Sequence, residues 1–189
     1  MIAALALATA IARAEEPALS ADELRRLAAR EILTRSEDVP GHKIPRMHAA
    51  GVIQAPPEKV WAIIQDCNRY EETMPRTLES DELERDGNRV HCKAKIDMPF
   101  PFADLVSETN AVHTIEPGVR WRRQWTHRGG DFDANEGSWT LEPRDGGAAT
   151  LARYQALFEP KVSLPNWVLS WAQNVTLPKL IEGLREHAE

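Results

Sequence analysis

The chain closes on LPNWVLSWAQNVTLPKLIEGLREHA, residues 164–188. Leu164, Trp167, Val168, Trp171, Val175, Leu180, Ile181 and Leu184 recur there at spacings of three and four, the period of one helical face. The spacing predicts one long amphipathic helix over Leu164–Ala188. A kink is expected at Pro178, whose ring removes a helical hydrogen bond and crowds the preceding turn.

The residues before it have a period of two. Val90, Cys92, Ala94, Ile96 and Met98 alternate with His91, Lys93, Lys95 and Asp97, which predicts a half-buried strand. Asp86-Gly87-Asn88 ahead of it is a hairpin signal. Further strands are predicted over Ala103–Ile115, Val119–His127, Glu136–Pro143 and Ala148–Pro160, separated by Gly- and Pro-containing turns. Upstream, Met47–Gln54 reads as a strand. Ala55-Pro56-Pro57-Glu58-Lys59 then starts a helix with proline in its first turn, and Asn68–Met74 is a second short helix. An antiparallel sheet of this size has one face to cover, and one long helix is available to cover it. The class is therefore α+β, a curved sheet around a helix, with a natural ligand space between them.

The 189 residues suit one domain with an N-terminal appendage. A hydrophobic fraction of 42% and a charged fraction of 28% exclude global disorder. The net charge of -6 argues against nucleic acid as a partner, which needs clustered Lys and Arg. Of twelve aromatic residues six are Trp, an indole-rich core.

Residues 1–14, MIAALALATAIARA, combine an apolar run too short to span a bilayer with an A-x-A sequence before Glu15-Glu16-Pro17. They read as a signal peptide cleaved after Ala14, although no basic residue precedes the apolar run. The mature chain is then expected in the periplasm or outside the cell. Residues 15–46 read as a helix opened by a Ser20–Glu23 capping box, with Leu24, Leu27, Ala28, Ile32 and Leu33 as its stripe, followed by a linker. Residues 47–189 form the main domain.

Three stretches carry a family resemblance. Val52–Trp61 resembles a strand entering a proline-started helix, Gly137-Ser138-Trp139-Thr140-Leu141-Glu142-Pro143 a strand with small, Trp and Pro positions, and Leu164–Leu180 a closing helix begun by proline. Together they resemble the START and polyketide-cyclase-like superfamily, which includes coenzyme-Q-binding proteins. The resemblance implies a helix-grip fold from about Met47 to the C-terminus and a hydrophobic cavity under the last helix. Known members bind sterols, phospholipids, quinones or polyketides, and a few relatives are cyclases or hydrolases. Where that family often has Asp-Arg-Asp, this chain has Ala103-Asp104-Leu105-Val106-Ser107, so a role for that arginine is not carried over.

Local motifs indicate no catalytic machinery. There is no G-x-S-x-G elbow, no P-loop and no G-x-G-x-x-G. The six histidines (42, 48, 91, 113, 127 and 187) include no i,i+4 pair, so no metal and no cofactor is expected. Cys92 and His91 point to opposite faces of their strand. Cys67 and Cys92 read as two reduced buried thiols; export would permit a disulfide instead.

On 120–127, RWRRQWTH, the residues Trp121, Arg123, Trp125 and His127 share one face. If it lines the cavity, Arg123 and His127 are polar anchors; the opposite phase would make them rim groups stacked on Trp. Glu108 and Asn110 share a face with Val106 and Val112, inside or outside. The candidate ligand-binding set is Met98, Arg123, Trp125, Trp139, Tyr154, Phe158, Trp167, Val168, Trp171 and Val175. The leading expectation is non-catalytic binding, and transfer, of a lipid or other hydrophobic small molecule, with transient membrane contact. The alternative is a cyclase- or hydrolase-type enzyme using Arg123, His127 or Glu108. A third reading is a protein-interaction module.

Overall fold

The computed structural model describes residues 18–189, so the signal peptide expected over 1–14 lies outside the described residues. Helix α1, Ala21–Ala28, starts as the sequence dictates: Glu23 N–H donates to Ser20 Oγ at 3.2 Å, and Ser20 N–H donates to the Glu23 carboxylate at 2.8 Å. It ends earlier than its apolar stripe implied. Arg30 takes a φ of 64°, and Leu33–Glu37 leaves as strand β1. Part of the expected linker is therefore an edge of the sheet. Its side chains, Thr34 to Glu37, carry no buried face; backbone pairing with β2, Arg46–Ile53, holds it.

Helix α2, Pro57–Ile64, a short turn at Cys67–Arg69 and helix α3, Tyr70–Thr73, carry the chain across the sheet. Strands β3 (Thr77–Asp86), β4 (Arg89–Ile96), β5 (Leu105–Glu116), β6 (Arg120–Gly130), β7 (Phe132–Arg144) and β8 (Ala149–Pro160) follow. The eight strands form one antiparallel sheet in the order β1-β2-β8-β7-β6-β5-β4-β3. The chain closes with α4 (Asn166–Trp171), a π-helical turn (Ala172–Thr176) and α5 (Leu177–Ala188). This is the helix-grip α+β fold. Among the described residues no helix is long and apolar enough to cross a membrane.

The alternation expected from the sequence is present. Val90 and Cys92 on β4, Ala111 and His113 on β5, and Trp121, Arg123 and Trp125 on β6 are buried. Glu108, Asn110 and Val112 lie on the outer face, in register with residues opposite in phase to these. The core joins Val60, Trp61 and Ile64 of α2 to Ile181 and Leu184 of α5, across Trp121, Leu141 and Ala152 of the sheet. A smaller cluster of Leu27, Ala50 and Leu151 fixes α1 to the other face of β2 and β8.

The two cysteines are not reduced. Cys67 and Cys92 form a disulfide, with Cα atoms 6.3 Å apart. The bond ties the turn after α2 to β4. The expectation of two free thiols treated these residues as separate elements; the crossing of α2 and α3 over the sheet brings them together.

Candidate ligand cavity

Between the sheet and the closing helix lies a cavity of about 290 Å³. This is at the low end of the roughly 300–1,000 Å³ typical of small-molecule pockets. The strands supply one wall because the pleat sends every second side chain inward: Ala94 and Ile96 from β4, Ser107 and Thr109 from β5, Arg123 and Trp125 from β6. Tyr70 and Met74 come from the α2–α3 crossing, and Val168, Trp171, Leu177 and Leu180 from the helix above.

Of the ten residues selected from sequence, Met98, Arg123, Trp125, Trp139, Tyr154, Phe158, Val168 and Trp171 line this cavity. Trp167 and Val175 do not; they are 50% and 41% exposed. The inward face of α4 centres on Val168, with Ala172 one turn on. That leaves Trp167 on the flank, where its ring meets Phe102 at 6.1 Å between centroids. Val175 is displaced by the π turn. Each residue of a π turn advances less around the axis than in an α-helix, so the inward place falls to Thr176. The break in the helix thus precedes Pro178 as a wide turn.

Trp61 and Trp121 are core residues outside the cavity wall. His127 is half-buried and also off the wall. The β6–β7 ladder stops at Trp125–Gly137, and β6 carries an extra residue opposite Glu108 and Thr109.

Two groups of polar side chains in the wall bear on its chemistry. Trp125 Nε1 donates to Asn135 Oδ1 at 3.0 Å, and Asn135 Nδ2 donates to Ser107 Oγ at 2.6 Å, so this set is internally satisfied. Arg123 heads the second set. It is 3% exposed; Nη1 bonds His113 Nε2 at 2.9 Å, and Nη2 lies 3.2 Å from Cys92 Sγ. Its guanidinium carbon stands 5.7 Å from the centroid of the Tyr70 ring. Burial, then the charges of Arg123 and Arg85, pushes His113 down to about 4. Burial raises the Tyr70 phenol above its ordinary value, with Arg123 opposing, so Tyr70 is neutral.

Arg123, Trp139 and Tyr154 stand in one cross-strand row on β6, β7 and β8. Trp139 and Tyr154 pack with ring centroids 4.8 Å apart. Burial raises the Tyr154 phenol further, and its hydroxyl has no hydrogen-bond partner among the described residues. Also in the wall, Arg76 pairs with Asp97 at 2.9 Å and lies over the Trp171 ring.

Sequence reasoning did not select Tyr70, Met74, Asn135 or Thr109. Thr109 follows from the alternation of β5 only once Glu108 and Asn110 are seen to face outward. Tyr70 and Met74 depend on where a helical crossing lands, which no local pattern encodes.

A model of the family described as polyketide cyclase / dehydrase and lipid transport matches residues 53–185. No curated protein matches the sequence. Among solved structures, a STAR-related lipid transfer protein from Xanthomonas axonopodis is similar at 18% identity and a TM-score of 0.69, covering 82% of this chain and 92% of that one. Human STARD10 is similar at 13% identity and a TM-score of 0.70, over 93% of this chain and 82% of that one. Zhui aromatase/cyclase from a Streptomyces species is similar at 13% identity and a TM-score of 0.58, over 75% of this chain and 92% of that one. At these identities the likeness is one of fold.

Proposed function

Because the chain belongs to the polyketide cyclase / dehydrase and lipid transport family, within the START-like superfamily, we propose that it binds a hydrophobic ligand in the cavity under its closing helix and transfers it without chemical change. The observation that carries this reading is the cavity itself. About 290 Å³ is walled mainly by Trp, Tyr, Phe, Met, Leu and Ala side chains, with few polar groups. Burying apolar ligand surface there supplies the affinity, at about 25 cal/mol per Å² before ordering costs.

An enzyme of the cyclase or hydrolase type would need two acid–base groups within reach of one another inside the cavity. Arg123 is inside. Glu108 instead reaches outward to His91 at 3.5 Å, and His127 stands off the wall. This arrangement favours binding over catalysis.

Two features support delivery outside the cytoplasm by way of a membrane surface. A disulfide suits an oxidising compartment, in keeping with the leader read over residues 1–14. Phe100, 92% exposed, and Trp167 stand on the two segments flanking the cavity and suit transient contact with a bilayer. Native mass spectrometry and lipid extraction of the purified protein test the proposal. A bound hydrophobic molecule supports it; a consistently empty cavity that gains nothing from added lipids overturns it.

A further inference from the structure

The charge in the cavity wall narrows the ligand. An arginine does not give up its proton in a protein, so Arg123 carries a full positive charge at 3% exposure. A buried charge is costly unless it is paired. No carboxylate lies within ion-pair distance of it among the described residues. None of the side chains that touch it supplies a negative charge. His113 Nε2 accepts from Arg123, and burial and two arginines hold its ring unprotonated. Cys92 is locked in the disulfide, so its sulfur is no thiolate. The Tyr70 hydroxyl donates to the Ile64 carbonyl oxygen, and burial keeps it protonated. Glu82 feels Arg123 through space but is held by Arg85 through two hydrogen bonds.

Resting on the ligand-binding reading above, we infer that the ligand is a long-chain carboxylic acid or closely similar single-chain acid, whose anionic head pairs with Arg123 while its apolar body fills the rest of the cavity. Trp139 and Tyr154, next along the same cross-strand row, line the cavity with Arg123. The apolar body then lies along Trp125, Phe158 and Trp171 toward Met98. A volume of about 290 Å³ suits one chain, not the two of a phospholipid.

The test uses the delipidated full chain at pH 8 with palmitate, hexadecanol and methyl palmitate, whose tails match and whose heads differ in charge. Palmitate should bind wild type roughly ten- to a hundredfold more tightly than either neutral probe, the worth of a charge-assisted hydrogen bond. Arg123→Met should erase that preference while the neutral probes still bind, and Arg123→Lys should keep part of it. Equal binding of all three by wild type overturns the inference and leaves the ligand-binding reading standing, a result that does not depend on any variant folding. An Arg123→Met protein that still prefers palmitate also overturns it. Failure of all three probes to bind overturns both readings.

Discussion

The Arg76 guanidinium lies 5.0 Å above the centre of the Trp171 ring while it also holds Asp97, pairing with the carboxylate at 2.9 Å and donating from Nε to the carbonyl oxygen at 3.3 Å. One side chain thus joins the start of β3, the segment after β4 and the closing helix at the edge of the cavity. Arg76 also takes a φ of 63°, a region that L residues other than Asn and Asp seldom adopt. Arg76→Asn keeps that backbone comfortable and removes both contacts. A partly exposed cation–π contact and a surface ion pair are together worth about 1 kcal/mol. Amide hydrogen exchange over residues 166–176 should therefore speed up about fivefold in Arg76→Asn, with the rest of the sheet unaffected. Unchanged exchange there would show that the contact does not hold the helix down.

The disulfide joins positions 25 apart in sequence, and so restrains the unfolded chain. For a loop of that length the entropic model gives about 3–4 kcal/mol. The double variant Cys67→Ala/Cys92→Ala should lose about that much stability in urea unfolding. Non-reduced protein in denaturant should titrate no free thiols. Two free thiols per chain would remove the bond, and with it one support for an oxidising compartment.

The parts of this fold with a local cause could be read in advance. Val90 to Ile96 and Trp121 to Trp125 alternate because one face of each strand is buried, and the alternation is written residue by residue. Ser20 and Glu23 likewise satisfy each other within one turn. What was missed is set by distant parts of the chain. Strand β1 pairs through its backbone, so Thr34-Arg35-Ser36-Glu37 shows no apolar pattern. The Cys67–Cys92 bond and the arrival of Tyr70 in the cavity both depend on the path of α2 and α3 across the sheet. The π turn shifts the inward phase of the closing helix by one residue. A wheel drawn at uniform α spacing therefore chose Val175 where the fold uses Thr176.

The burial of His113 makes the fold sensitive to acid. Its ring meets the Trp61 edge at 5.0 Å, and the charges around it are Arg123 on β6 with Arg85 and Glu82 on β3. In the unfolded chain it takes a proton near pH 6.5, but in the fold only near 4. The folded pKa lies below the unfolded one, so this contribution is complete above pH 6.5 and is lost as the pH falls toward 4. The difference amounts to about 3 kcal/mol. Urea unfolding of wild type and His113→Gln across pH 7 to 4 isolates it, since the carboxylates common to both cancel. The wild-type curve should drop toward the variant's as the pH falls. Parallel curves would mean that His113 titrates normally in the fold.

At Gly51 on β2 the closing helix packs directly against the sheet backbone. A β-carbon there would overlap the Ile181 side chain, which is fully buried in the core. Its φ is not in the left-handed region, so glycine is needed here for space and not for backbone conformation. Gly51→Ala should therefore overpack the contact and cost about 1–3 kcal/mol. Ile181→Ala alone should cost about 2–5 kcal/mol through the cavity it leaves. The two changes occupy the same space, and the double variant should be less destabilised than the sum of the singles, by at least about 1 kcal/mol. Urea unfolding of all four proteins gives the coupling. Strict additivity would mean that the helix shifts off β2 at little cost. The steric stop that fixes the height of the cavity roof would then lie elsewhere on α5.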